Sequence, residues 1–386
     1  MPTNRGKRLA GKWRLVALAL LSSLFASCSS PSVPEASVPP SSQSSDVDTS
    51  LDAEPVCEVR NPLEWRELGR PSMDGGDVFS NDFRWHAKHQ RVYPGRWTAS
   101  FIFDDGTEIE PFDTPEGWTV TNAFFTDSFF VAIVGKGDAT ELDFKIWGWD
   151  PNRPEQPAWL IHERQPNTVQ GGFILLQFRG DRLTWLEPGP SRAQQSIPVY
   201  DLSTREMRFV IENAFVYGPM WNGDGIVWLQ SIDGKDYLTG VTADGSEWNP
   251  PEELTEASSA GRFTVNEGVW AWVDKSSRYL YAWMPDWEYP LLIDVAAPEG
   301  DFVDGLNIIN DFLFYYTHQI TWVADLRSLT RAPITDGAGQ AIVTGPDQVR
   351  MWYYAQDVIE RYGSRERTWV ASELPRLDEC PTSPVP

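Results

Sequence analysis

Two histidines three residues apart, His86 and His89, are the pair in this sequence whose types suit metal chelation. They flank a segment that reads as a β-strand, where positions three apart face opposite sides, which is poor geometry for chelation. His162 and His318 stand alone in the sequence. Paired acids, namely Asp104 with Asp105, Asp74 with Asp77 and Glu252 with Glu253, have the chemistry of a general acid and base or of calcium ligands. None of their spacings matches a full calcium loop, and among 55 acidic residues close pairs arise by chance, so they read as solvated turns. The tripeptide Arg179–Asp181 has the letters of an adhesion motif and the composition of a hairpin turn. Nineteen tryptophans could stack on sugar rings, although packing between sheets accounts for most of them. Trp118, Trp248 and Trp287, in turn-like contexts, are the sugar or peptide candidates. No G-x-S-x-G elbow, phosphate loop, zinc helix or dinucleotide fingerprint occurs, so no catalytic residue, metal ligand or cofactor is assigned.

The elements that must position these residues recur. Seven alternating apolar strands begin at Asn81, Thr126, Gly180, Gly223, Asn266, Asn310 and Pro346. One position in each (Trp85, Ala132, Trp185, Trp228, Trp272, Tyr316 and Trp352) sets steps of 47, 53, 43, 44, 44 and 36 residues. Tight turns keep the same beat at Asp105, Asp150, Asp201, Asp244, Asp286, Asp325 and Gly363. Asp, Gly, Asn and Ser supply the left-handed or side-chain-bonded geometry of hairpin turns. The long second step contains a Pro-rich insertion after Asp150. Trp147 and Trp149 are two apart and share a strand face, as do Trp270 and Trp272. No convincing 3.6-residue period appears, and the one helical candidate, from Pro251, is short and polar. An all-β fold follows: a single β-propeller of seven blades, each about 46 residues long. Six or eight blades stay open, since the first and last units are the least regular.

The segments GDGIVWLQ, PDQVRMWYY and YLTGVTADGSEWNPPEELT resemble the blade repeats of TolB-like periplasmic propellers. The resemblance spans about four of the seven units. Pro346–Asp347 keeps the Pro-Asp pair and Asp224–Gly225 the Asp-Gly pair of that repeat. It implies a fold and no function.

The chain begins with five basic residues and no acid through Arg14, then an apolar run of 11 residues from Leu15 to Phe25. A bilayer-spanning helix needs about 20 such residues, so this is the pattern of a secretory signal. The ending FASC, with Phe25 where Leu is usual, resembles the lipobox of bacterial lipoproteins, which implies lipid attachment at Cys28. Ser29 resembles the outer-membrane sorting pattern of a diderm cell. The chain is thus divided into a signal (1–27), a Ser/Pro-rich flexible tether (28–56), the propeller (57–380) and a tail (381–386). Cys57 and Cys380, the two cysteines left over, read as a disulfide clasping the first and last blades.

Loss of the signal leaves 27 basic against 55 acidic residues, a net charge of −28. That balance disfavours nucleic acid and anionic lipid surfaces as partners. The expected protein is extracytoplasmic and held to a membrane by its N-terminal lipid. It is read as a binding or scaffold module for a protein or polysaccharide of the envelope or exterior. The alternative is a polysaccharide lyase or glycoside hydrolase using carboxylates gathered at the propeller mouth, with perturbed pKa values as its mark.

Overall fold

In the computed structural model the described residues are 54–59, 70–72, 77–79, 84–93, 96–136, 143–164, 176–254, 262–296, 302–317, 320–334, 339–345, 347–353 and 366–380. Two short strands come first, β1 (Cys57–Glu58) and β2 (Arg70–Ser72). Blade 1 is β3 (Asp77–Phe79), β4 (His86–Tyr93), β5 (Arg96–Ile102) and β6 (Glu108–Ile109). Blade 2 is β7 (Thr119–Phe125), β8 (Phe130–Lys136), β9 (Asp143–Trp149) and β10 (Trp159–Glu163). Blade 3 is β11 (Gln177–Arg179), β12 (Arg182–Thr184), β13 (Gln195–Asp201) and β14 (Glu206–Ala214). Blade 4 is β15 (Val216–Asn222), β16 (Gly225–Ile232), β17 (Lys235–Val241) and β18 (Glu247–Trp248). Blade 5 is β19 (Arg262–Asn266), β20 (Val269–Val273), β21 (Tyr279–Trp283) and β22 (Leu291–Val295). Blade 6 is β23 (Asp304–Ile309), β24 (Phe312–Thr317), β25 (Ile320–Asp325) and β26 (Thr330–Pro333). Blade 7 holds β27 (Gly339–Gly345), β28 (Gln348–Tyr353) and β29 (Glu366–Val370).

Within each blade the strands pair antiparallel in chain order, and the first strands of blades 3 to 7 come close to one another in succession. First strands therefore line the centre and fourth strands the rim. The ring is closed by the N-terminal strands. β2 pairs antiparallel with β29 and supplies the fourth strand of blade 7 (Arg70 opposite Thr368). β1 pairs parallel with β26 and makes blade 6 five-stranded (Cys57 opposite Thr330). The seven recurrent strands read from the sequence are the second strands, β4, β8, β12, β16, β20, β24 and β28.

Alternation explains why these second strands are so apolar. In β8, Phe130, Ala132 and Val134 pack towards blade 1, while Val131 and Ile133 pack towards blade 3. In β20, Trp270 and Trp272 face blade 4 and Val269, Ala271 and Val273 face blade 6. A blade is buried on both faces, so both parities of the strand must be apolar. Six such cores are present among the described residues, one at each interface from blades 1–2 to blades 6–7. Trp149, Trp185, Trp270, Trp272 and Trp369 are fully buried there, which is where much of the aromatic surplus goes. Trp147 and Trp149 share one face, as their spacing requires.

The structure bonds Cys57 to Cys380, across 323 residues of sequence with Cα atoms 6.2 Å apart. The clasp does not join the first and last blades as expected. Cys57 lies in the strand added to blade 6, and the segment leading to Cys380 reaches the same blade, where the Leu377 N–H donates to Asp325 Oδ2 at 3.2 Å. The reason is topological: the N-terminal chain runs past the last two blades before it starts the first. Gly363 lies outside the described residues, in the segment leading to the third strand of blade 7. The described part of the polar candidate from Pro251 holds a 3-10 turn, Glu252–Leu254, and residues 255–261 lie outside the described residues. Among the described residues no helix is long and apolar enough to cross a membrane.

Candidate functional site

Antiparallel order puts the turns between first and second strands (a–b) and between third and fourth strands (c–d) on one face of the ring. The c–d turns are built on aspartate carboxylates that accept backbone N–H groups two residues on, the Asx geometry that makes Asp a turn residue. Asp105 accepts from Thr107 (2.8 Å), Asp150 from Asn152 (2.9 Å), Asp201 from Ser203 (2.9 Å), Asp244 from Ser246 (3.1 Å) and Asp325 from Arg327 (3.1 Å). The Asp104–Asp105 pair is thus part of a turn. Hydrogen bonds from Thr107 lower the Asp105 pKa, and those from Thr242 and Ser246 bring Asp244 down to about 2.

The a–b turns carry an acid in every blade: Asp82, Asp127, Asp181, Asp224, Glu267, Asp311 and Asp347, of which Asp82 lies outside the described residues. Three of these acids, Asp181, Asp224 and Glu267, tie blades together. Asp181 accepts from the Thr126 hydroxyl (2.9 Å) and the Ser128 N–H (2.8 Å), joining blade 3 to blade 2. Asp224 of blade 4 receives Arg182 of blade 3 at 2.5 Å. Arg179 reaches past it to Glu267 of blade 5 at 3.2 Å. The Gly268 N–H donates to Asn222 Oδ1 at 3.0 Å, and Asn307 Nδ2 to the Ala341 carbonyl at 3.0 Å. The Arg179–Asp181 tripeptide makes the hairpin turn expected of it, and both of its charged residues are engaged between blades. The Arg182 hydrogen bond and charge lower the Asp224 pKa.

The chain after β29 forms a strap across this face. A 3-10 turn (Ala371–Glu373) docks on blade 7, where Ser372 donates its N–H and its hydroxyl to Asp347 at 2.7 and 2.6 Å. Arg376 then meets Asp311 at 2.7 Å and the fully buried Asp325 at 2.9 Å, with its guanidinium 4.9 Å from the Phe312 ring centre. Arg327 adds a second guanidinium to Asp311 at 2.5 Å. Burial raises the Asp311 pKa, and the two arginines more than offset it, so the carboxyl titrates below its ordinary range.

Between the strap and the turns of blades 5 and 6 lies an open cleft of about 630 Å³. Its polar wall includes Asn266, Glu267, Asp286 and Asn310; Arg327, Arg376 and Ser372 border it, and Val269, Met284, Phe312 and Leu374 add apolar surface. Mixed hydrogen-bonding and apolar lining suits a peptide or sugar segment. Sequence reasoning missed this cleft. The recurrent acid opening each second strand was visible, whereas the arginines that answer it come from other blades and from the strap.

The other candidates do not converge. Trp118 lies between blades 1 and 2, part-buried beneath the Lys145 ammonium at 5.3 Å. Trp248 stacks on Trp270 with ring centres 5.5 Å apart, and the Trp287 carbonyl accepts from Trp283 Nε1 at 3.1 Å. His162 stands between Phe144 and Trp185, its Nε2 2.8 Å from Glu187 Oε2 at an angle that is not that of a hydrogen bond. His86 is half-buried in β4. The side chains of His89 and Asp77 lie outside the described set, as do residues Asp74, His318 and Cys28. Glu252 and Glu253 belong to the 3-10 turn that buries Leu254. Among the described residues no group of three or more His, Cys, Asp or Glu is placed to hold a metal ion. Every described carboxyl with a displaced pKa (Asp105, Asp224, Asp244, Asp274 and Asp311) is displaced downward.

No family model and no curated protein matches this chain. Solved structures do. An acylaminoacyl peptidase of Pyrococcus horikoshii aligns over 75% of this chain and 51% of its own, at 10% identity and a TM-score of 0.45. A puromycin hydrolase aligns over 86% and 57%, at 14% identity and 0.45. TolB from Acinetobacter baumannii aligns over 68% and 63%, at 11% identity and 0.39. The chain spans about half the length of the peptidases it matches. The propeller assignment rests on its own seven sheets.

Proposed function

We propose that this chain is an exported, lipid-anchored propeller that binds a partner, a protein or polysaccharide of the cell envelope or exterior, at the cleft beside the strap. The open cleft on a cross-tied face is the observation that carries the reading. The turns around the cleft are tied by Arg179 to Glu267 and by Arg376 and Ser372 of the strap to Asp311 and Asp347, so a ligand meets a preorganised surface and little ordering entropy is lost on binding. The short basic-apolar start, the FASC ending and the Ser/Pro-rich segment support export and tethering at Cys28.

A glycoside-hydrolase reading needs a carboxyl kept protonated near neutral pH. The displaced carboxyls run the other way and stay ionised, which suits fixed electrostatic recognition. The test is capture from envelope extracts with the native protein at native levels, beside a variant carrying Glu267→Ala and Arg376→Ala. A partner held by the native protein and lost by the variant supports the reading; equal capture by both, or none by either, overturns it. Intact mass of the native chain decides the tether, through a mass beginning at Cys28 with diacylglycerol and acyl groups attached.

A further inference from the structure

The cleft beside the strap holds an exception among the turns of its face. In blades 1 to 4 and 6 the c–d aspartate accepts the N–H two residues on, so its carboxylate is used by the turn. The c–d turn of blade 5 closes without such a bond. There the Trp287 N–H donates to the Met284 carbonyl at 2.9 Å, and Trp283 Nε1 donates to the Trp287 carbonyl at 3.1 Å. Asp286 is thereby left over. It is exposed, lines the cleft and makes no hydrogen bond or ion pair with the described residues. The other carboxylates of the lining are engaged, Glu267 by Arg179 at 3.2 Å and Asp311 by Arg327 and Arg376 at 2.5 and 2.7 Å. Three residues beyond Asp286 on the same turn, Tyr289 is 62% exposed, more than any other large apolar side chain among the described residues. Its ring has no aromatic or cationic neighbour among them.

We propose that the cleft takes a basic segment of a partner protein, with a lysine or arginine head at Asp286 and its stem against the Tyr289 ring. The inference rests on the binding reading of the cleft and names the class of partner within it. An unanswered carboxylate calls for a cation, and an open ring on the same turn adds cation–π attraction. Arg327 feels the Asp286 charge, but its Nε is committed to Asp311 and no ion pair joins it to Asp286. The apolar lining of Val269, Met284 and Leu374 suits methylene stems. A polysaccharide is the weaker fit. A sugar face needs an open ring, and the aromatic among the lining residues, Phe312, is 2% exposed with the Arg376 guanidinium over it.

The probe is a fluorescein-labelled peptide of alternating lysine and serine, used at about 150 mM salt so that diffuse charge is screened. Its partner probe carries Nε-acetyl-lysines, which keep the stem and lose the charge. Fluorescence anisotropy with the full chain should show tighter binding of the basic peptide. Asp286→Asn and Tyr289→Ala should each weaken that binding about two- to fivefold, the scale of exposed charge and ring contacts. Asp233→Asn removes the same charge from the b–c turn of blade 4, on the opposite face, and should leave binding unchanged. Equal behaviour of the two peptides, binding unchanged by either cleft substitution, or an equal loss with Asp233→Asn overturns the inference. So does tighter binding of a glucosamine tetramer that depends on Asp286. If both peptides bind and Glu267→Ala with Arg376→Ala releases both, the cleft stands as a binding site and its preference for a basic segment falls.

Discussion

Replacing Cys57 and Cys380 by serine removes the clasp and little else, which makes the clasp the cleanest feature to perturb. The bond closes a loop of 323 residues. Chain-entropy reasoning for that length gives about 5.8 kcal/mol at 25 °C as a ceiling, since a longer loop restricts the unfolded chain more. Observed losses for native disulfides run lower, about 2–5 kcal/mol, and that is the expected range. The folded side changes little, because β1 keeps its pairing and the Val59 N–H still donates to the Arg331 carbonyl at 2.8 Å. The strap keeps Arg376 on Asp311 and Asp325. Urea unfolding followed by tryptophan fluorescence measures the loss, and a single transition is the condition for reading it as a free energy. The slope with urea should also rise, because the uncrosslinked unfolded chain exposes more surface. A loss under about 1 kcal/mol with an unchanged slope would refute the reasoning, since it would mean that the clasp does not restrict the unfolded chain.

Three further outcomes are expected. Gly240→Ala places a Cβ 2.5 Å from the Ile226 carbonyl oxygen, a backbone atom in the paired strand that cannot step aside, and should cost about 1–3 kcal/mol in the same urea assay. Arg376→Ala should cost about 1–2 kcal/mol: the pair is half-exposed on the arginine side, and the buried Asp325 keeps the Arg327 and Leu377 N–H groups, so the full penalty of an orphaned buried charge does not apply. Asp311→Asn should be less stable than the native chain at pH 7. Because the Asp311 pKa is lowered in the folded state, its contribution is complete above the unfolded value of about 3.9 and is lost as pH falls through the folded value, so acid-unfolding curves of the two proteins should converge below about pH 4.

The second strands and the Asp-built c–d turns were legible because their signals are local. A strand buried on both faces must be apolar at both parities, and an Asx turn needs its aspartate two residues from the N–H it accepts. Of the a–b acids, Asp181, Asp224 and Asp347 were legible as turn residues, and the partners of the a–b acids were not. Arg179 and Glu267 are 88 residues apart and meet only because two blades come round to each other. The tryptophans show the same division. Their number pointed to packing between sheets, while the stacking of Trp248 on Trp270 across two blades needed the ring.

What the amino-acid order determined by itself was the blade: its period, its two apolar faces, its turns, and a pair of cysteines at the two ends of the repeat array. Tertiary structure alone decided how the ring closes. β1 and β2 carry no local mark of belonging to blades 6 and 7, because pairing between strands some 270 to 300 residues apart is set by which sheet edges remain open once the other blades have formed. That choice moved the clasp onto blade 6, laid the strap over its turns and left the cleft beside it.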